Sequence, residues 1–160
     1  MRLRAVELDD APALMRVYSG ATARFTTGRA ITLAEARAKI QAALDRAAEN
    51  PRVQWNWGIV VDDELIGLIT LRRRSPTMGS ISYSLREDRW GHGYATEAVK
   101  HVVSFAFTTI GVNRVEAMHH PDNPASGRVL TKSGFLCTGT HDQHEGGTVV
   151  PYVVYAVAAP

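Results

Sequence analysis

Apolar and polar positions alternate from Arg2 to Leu8, with Leu3, Ala5 and Val6 turned inward, and this two-residue period predicts a first strand. Asp9 or Asp10 then caps a helix to about Ser19 that carries Leu14, Met15, Val17 and Tyr18. Thr32-Leu33-Ala34-Glu35 has the form of a capping box, in which a hydroxyl and a carboxylate three residues apart satisfy each other's unpaired backbone donors. A second helix is predicted from there to about Asn50, with Leu33, Ala36, Ile40, Ala43 and Leu44 at helical spacing and Pro51 beyond its end. The stretch between the helices, GATARFTTGRAI (20–31), reads as a loop with one aromatic and two arginines.

The period then changes. VQWNWGIVV, the turn at Asp62-Asp63 and LIGLITLRRR predict a β-hairpin, and SISYSL (80–85) a third strand of the same meander. A helix follows Gly93 and runs to about Ile110, with Ala95, Val99, Val102, Ala106 and Ile110 on one face. NRVEAMH is a strand, 123–133 a short helix, FLCTGTH a strand, and TVVPYVVYAV the last strand. The order β-α-α-β-β-β-α-β-α-β-β predicts one α/β or α+β domain over residues 1–160.

Composition narrows the classes. With 45% apolar and 21% charged residues the chain is globular, and its net charge of +2 is too small to imply nucleic acid. Arg72-Arg73-Arg74, the densest basic run, reads as a solvated strand end, able otherwise to attract an acidic acceptor or an adenosine 3′-phosphate. The single cysteine, Cys137, excludes an internal disulfide, makes a thiolate metal site unattractive, and reads as a small buried apolar residue. No run approaches the length of a membrane span and Met1-Arg2-Leu3-Arg4 does not resemble a signal peptide, so a cytoplasmic location with no membrane partner is expected.

The chemistry concentrates in DRWGHGYATEAVKHVV (88–103). A helix here opens on bare backbone, Gly91 and Gly93, instead of a Ser, Thr, Asp or Asn cap. Glycine allows close backbone approach, and the unpaired N–H groups at a helix start carry partial positive charge, so the stretch suits a phosphate or pyrophosphate. It is not a P-loop, which needs Gly-Lys-Ser/Thr. The dinucleotide fingerprint would need glycine where Thr96 stands; Glu116 follows at roughly the right distance, but the preceding strands form a meander.

Trp90-Gly91-His92-Gly93-Tyr94-Ala95 resembles the acetyl-CoA motif of the GNAT superfamily of N-acetyltransferases, with Trp90 where Gln or Arg is usual and Arg89 one residue early. NPASGRVLTKSGF, from Asn123 to Phe135, is similar to the second motif of the branch containing the ribosomal-protein N-terminal alanine/serine acetyltransferases. The resemblance implies a mixed, mostly antiparallel sheet of about seven strands flanked by about four helices. It implies acetyl-CoA as co-substrate, with no metal, and an amine acceptor that is a protein N-terminus or a small molecule. A homodimer is a family-level expectation.

Carried over residue by residue, the resemblance gives Leu85 backbone bonds to the pantetheine arm and gives the amides of Trp90, Gly91, His92, Gly93, Tyr94 and Ala95 the pyrophosphate, with charge from His92 or Arg89. Asn123 would reach the pantetheine amides, and Ser126 would stand near the sulfur as the general-acid candidate, because Leu130 occupies the place of the tyrosine found in many relatives. Arg24, Phe25 and Tyr83 are the acceptor-side candidates, with the loops 20–31 and 141–149. No residue stands out as base: Ser80 replaces a common glutamate, leaving Glu116, then His119, His120, and the His141, Asp142, His144, Glu145 group. An acetyl transfer asks for a free amine, near pKa 8 for an α-amine, an oxyanion donor and correct positioning. The rival reading is a catalytically weak acyl-CoA-binding or partner-binding module on the same fold; a nucleotide-binding redox domain is a more distant third.

Overall fold

Asp62 and Asp63 both adopt left-handed backbone, φ 50° and 60°, the geometry of a two-residue hairpin turn that short Asx side chains tolerate. They join β2 (Gln54–Val61) to β3 (Glu64–Arg73), and β4 (Met78–Leu85) adds to β3 in the same antiparallel sense. In the computed structural model, which describes residues 1–160, β1 (Arg2–Arg4) pairs with the outer edge of β2. On the other side of β4 come β5 (Arg114–His119), β7 (Thr148–Ala158) and β6 (Leu136–Glu145), giving the order β1-β2-β3-β4-β5-β7-β6. Only β4 and β5 run parallel, because α4 (Tyr94–Phe105) crosses over between them.

Five helices cover the sheet. α1 (Ala11–Val17) and α3 (Leu33–Ala47) bury Leu14, Val17, Ile40 and Ala36 against Val60 and Leu65 on one face. α4 and α5 (Pro124–Lys132) bury Ala98, Val99, Val102 and Leu130 against Ile59, Ile69, Leu71, Ile81 and Val115 on the other. α2 (Gly20–Arg24) lies in the stretch expected to be loop, its Ala21 N–H held by the Glu87 carboxylate at 2.9 Å. The expected capping box opens α3, where Thr32 Oγ1 accepts the Glu35 N–H at 3.1 Å.

Other expectations are corrected. β1 stops at Arg4, which forks onto the buried Asp10 carboxylate at 2.7 and 2.8 Å and pulls the chain off the sheet, leaving Ala5 exposed. The long helix gives way at Ala106 to a wider π turn through Ile110, ended by Gly111 at φ 80° with its N–H on the Ala106 carbonyl. Residues 141–149 are not a loop: β6 runs through Glu145 and turns on Gly146-Gly147 directly into β7. Because β6 is the outermost strand, Cys137 is exposed, not buried. Trp55 and Trp57 pack on the core, edge to face with Phe105 at 6.1 and 5.3 Å. No helix is long and apolar enough to cross a membrane.

Gly67 sets how closely β3 and β4 approach, since a Cβ there would stand 2.5 Å from the Ser84 carbonyl oxygen and 2.8 Å from a Leu85 methyl. Backbone cannot yield as a flexible side chain does. Gly67→Ala is expected to lower stability by about 1–3 kcal/mol, read as a lower urea midpoint; an unchanged midpoint would show the two strands free to move apart.

Candidate active site

β4 and β5 share only three residue pairs, Met78–Arg114, Gly79–Val115 and Ser80–Glu116. Beyond them the strands part, β4 staying on β3 while β5 stays on β7. The Arg86 N–H bonds the Ile66 carbonyl at 2.8 Å, so by antiparallel alternation the peptide groups of Tyr83 and Leu85 point away from β3, into the opening. The Leu85 carbonyl is already taken by the Thr22 hydroxyl at 2.6 Å and the Trp90 indole N–H at 2.9 Å. Its N–H is therefore the group that Leu85 offers a ligand. Thr22, buried on α2, had no signal in the sequence because its segment read as loop.

At the wide end of the opening lies the glycine turn. Gly91 and Gly93 take φ 76° and 82°, and a Cβ on either would meet nothing within 4 Å, so the backbone faces empty space. Gly93 is the N-cap of α4 with no side-chain cap, and the first helical bond runs from the Glu97 N–H to its carbonyl. The N–H groups of Tyr94, Ala95 and Thr96 thus have no acceptor within the helix. The bend leading in is pinned by Glu64, which takes Arg86 at 2.6 Å and Arg89 at 3.1 Å. Those arginines hold the Glu64 carboxyl below its usual range, Arg86 first.

The cleft between the parted strands, α2, α4 and α5 measures about 200 Å³. Leu85, Trp90, Gly91, Gly93, Tyr94, Ala95, Asn123 and Ser126 all line it. His92 does not; it is exposed and stacks on Tyr94 at 5.7 Å. The Arg89 charge is met by Glu64, so the uncommitted cations at the cleft wall are Arg128 and Lys132 of α5. The sequence reading missed this pair, although a spacing of four puts both on one helix face.

The narrow end is closed by a bridge across the opening. The Tyr83 hydroxyl lies 3.0 Å from the Ser126 carbonyl oxygen and 2.9 Å from Ser126 Oγ. Burial pushes the phenol up to about 12, so it stays protonated at neutral pH. Asn123 is the N-cap residue of α5, yet its side chain makes no capping bond. Leu130 is fully buried in the core. Beneath Ser126, a Cβ on Gly127 would stand 2.7 Å from His119 Nε2 and 2.8 Å from the Tyr155 hydroxyl. His119 is buried, its Nδ1 is 2.7 Å from the His120 carbonyl oxygen, and its Nε2 has no partner. A carbonyl oxygen only accepts, so Nδ1 is the donor of that bond.

Glu116 is not part of this group. Alternation along β5 turns Val115, Ala117 and His119 toward α4 and α5 and Glu116 to the opposite face, where Arg114 binds it at 3.0 Å. Phe25 lines the cleft, but Arg24 points outside it to Asp122 at 3.5 Å. Beside Phe25, His120 accepts the Asp122 N–H at 3.0 Å and faces Glu145 at 3.7 Å, and Glu145 in turn accepts the Tyr152 hydroxyl. Burial and then that carboxylate push Tyr152 up to about 12. His141, Asp142 and His144 lie on a strand, which sends Asp142 to the face opposite His141.

Residues 1–136 match the family model of the acetyltransferase (GNAT) domain. The uncharacterized N-acetyltransferase p20 of Bacillus licheniformis is 29% identical over 149 residues, which span 91% of this chain and 84% of that protein. Among solved structures, a probable acetyltransferase superposes with a TM-score of 0.86 at 22% identity, covering 98% of this chain and 91% of the other. The ribosomal alpha-N-protein acetyltransferase RimL in complex with coenzyme A superposes with a TM-score of 0.82 at 20% identity, covering 98% and 92%.

Gly127→Ala would drive a methyl into both His119 Nε2 and the Tyr155 hydroxyl. It is expected to cost about 1–3 kcal/mol by thermal or urea unfolding and to weaken the Tyr83–Ser126 bridge. An alanine variant as stable as the parent would show that the contact relaxes without cost.

Proposed function

Because the chain belongs to the acetyltransferase (GNAT) family, we propose that residues 1–160 form one catalytic domain moving the acetyl group of acetyl-CoA to a primary amine by direct attack. The enzyme is an acetyl-CoA-dependent N-acetyltransferase. The proposal concerns its acceptor and the residues that serve it. The likeness to RimL, an alpha-N-protein acetyltransferase, supports a protein N-terminal α-amine as acceptor, ahead of small amines.

One observation carries the reading: a strand edge with turned-out peptide groups meets an uncapped glycine helix start at one end and a half-buried Tyr–Ser bridge at the other. The cradle fits a diphosphate, because Gly91 and Gly93 face open space and donors from Tyr94, Ala95 and Thr96 converge there. Arg128 and Lys132 would add charge to the phosphates. The Leu85 N–H and the Asn123 side chain would hold the pantetheine amides.

Acetyl-CoA supplies a thioester whose carbonyl carbon forms a bond to the amine nitrogen as the carbon–sulfur bond breaks. The turned-out N–H groups of the β4 edge are the donors placed for the oxyanion. Tyr83 and Ser126 hold the proton at the sulfur side: when the phenol donates to Oγ, the serine O–H is released to a neighbouring atom, and the thiolate can take it. The amine loses its proton to solvent or to a group facing the opening. An α-amine near pKa 8 is partly free at neutral pH, and no strong base is required.

Calorimetric titration with acetyl-CoA, with NADH and ATP as controls, and thiol release over a panel of N-terminal peptides and small amines test this together. Gly93→Glu is expected to abolish coenzyme binding by filling the cradle with bulk and negative charge. Ser126→Ala is expected to slow turnover by about 10²-fold, the scale of one proton-transfer contact, with the coenzyme still bound. Unchanged turnover in Ser126→Ala would remove the serine from the proton path; absence of thiol release from every amine would remove the transfer itself.

A further inference from the structure

The face of the sheet turned away from α4 and α5 carries a grid of polar side chains with more donors than acceptors. Alternation places Gln54, Arg72, Ser80 and Glu116 in one cross-strand row and Asn56, Thr70 and Ser82 in the next. Asn56 Oδ1 accepts the Thr70 hydroxyl at 2.9 Å and the Gln54 amide at 3.2 Å, and Gln54 Oε1 accepts Arg72 Nε at 3.1 Å. The amide acceptors are thus spent inside the grid, and Asn56 Nδ2 is left buried with nothing to donate to.

The charge is unbalanced in the same sense. Arg72 reaches only neutral partners, Gln54 and the Ser82 hydroxyl at 3.2 Å, and Arg74 only the Ser80 hydroxyl at 2.9 Å. Arg46 on α3 keeps its own carboxylate, Glu49, at 2.9 Å, and Glu116 at the end of the row is matched by Arg114. Half-buried guanidinium groups normally take a carboxylate, because desolvation of an unpaired charge is costly. Burial, and then the neighbouring charges of Arg74 and Arg46, push the Arg72 guanidinium down from its ordinary value.

The grid also has a place relative to the opening. Ser80–Glu116 is the last pair before β4 and β5 part, and Ser82 stands at the mouth on the face opposite α4 and α5. On the proposed reading of the cleft, the coenzyme comes from the α4 and α5 side, so an acceptor reaches the opening across this grid.

We propose that Arg72 and Arg74, with Ser80 and Ser82, form an anion subsite for the acceptor, which is therefore a primary amine carrying a carboxylate or phosphate close to the amine. The inference rests on the acetyl-transfer reading but is tested by binding without turnover. Protein saturated with free coenzyme A is titrated with Ser-Glu-Asp-Leu amide, Ser-Gln-Asn-Leu amide and Ser-Lys-Arg-Leu amide, with free glutamate as the small-molecule arm. The acidic peptide, free glutamate or both should bind about tenfold tighter than the neutral peptide, and the basic peptide weakest. In Arg72→Gln the gap should close to about twofold, the size of a residual long-range attraction, while coenzyme A affinity reports an intact fold. If that variant does not fold, Arg74→Gln, altered at an exposed residue, should narrow the gap in the same direction. Equal affinities, preference for the basic peptide, binding of none of them, or a gap that survives both substitutions overturns the subsite. Loss of thiol release with the binding order kept would instead overturn the transfer reading alone.

Discussion

The parting of β4 from β5 is the constraint on which the rest of this molecule depends. Two parallel strands held by three residue pairs expose the peptide groups of Tyr83 and Leu85 inside the protein, where water competes poorly for them. Such an edge is costly unless something occupies it. Part of the cost is met internally, by Thr22 and Trp90 on the Leu85 carbonyl. The remainder is donor capacity held for a ligand, in line with the uncapped start of α4.

Neighbouring features keep that opening in one shape. Glu64 ties Arg86 and Arg89, and so fixes the bend between the end of β4 and the glycine cradle. At the other end the Tyr83–Ser126 bridge joins β4 to α5 and prevents the gap from closing or widening freely. Gly67 and Gly127 are small for the same reason, since each lies where a Cβ would displace a strand or a buried ring. The two faces differ in charge: cations of α5 line the cleft wall, whereas Arg72 and Arg74 of the meander lie on the opposite face with only hydroxyl and amide partners.

Much of this was legible along the chain. The Thr32–Glu35 box, the Asp62-Asp63 turn and the helix after Gly93 are local events, set by residues within a few positions of each other, and the structure has all three. The glycine cradle was legible for the same reason. Failures occurred where a distant partner decides. Residues 20–24 are helical because Glu87, far along the chain, caps them. β1 ends early because Arg4 turns to Asp10, and Cys137 is exposed because its strand has no neighbour beyond it. Glu116 had a plausible residue type, but only the pairing of β5 reveals the face it occupies.

By itself the sequence determined the element order, the hairpin, the helix caps and the bare helix start, because period, turn chemistry and capping act over a handful of bonds. The two motifs it carries were enough to point to acetyl-CoA. Only the tertiary structure decided which peptide groups face the gap, which cations lie beside it, that Tyr83 meets Ser126, and that Arg72 and Arg74 have no carboxylate. Those relations join positions tens of residues apart, and their strength depends on burial and register, which a linear pattern does not contain.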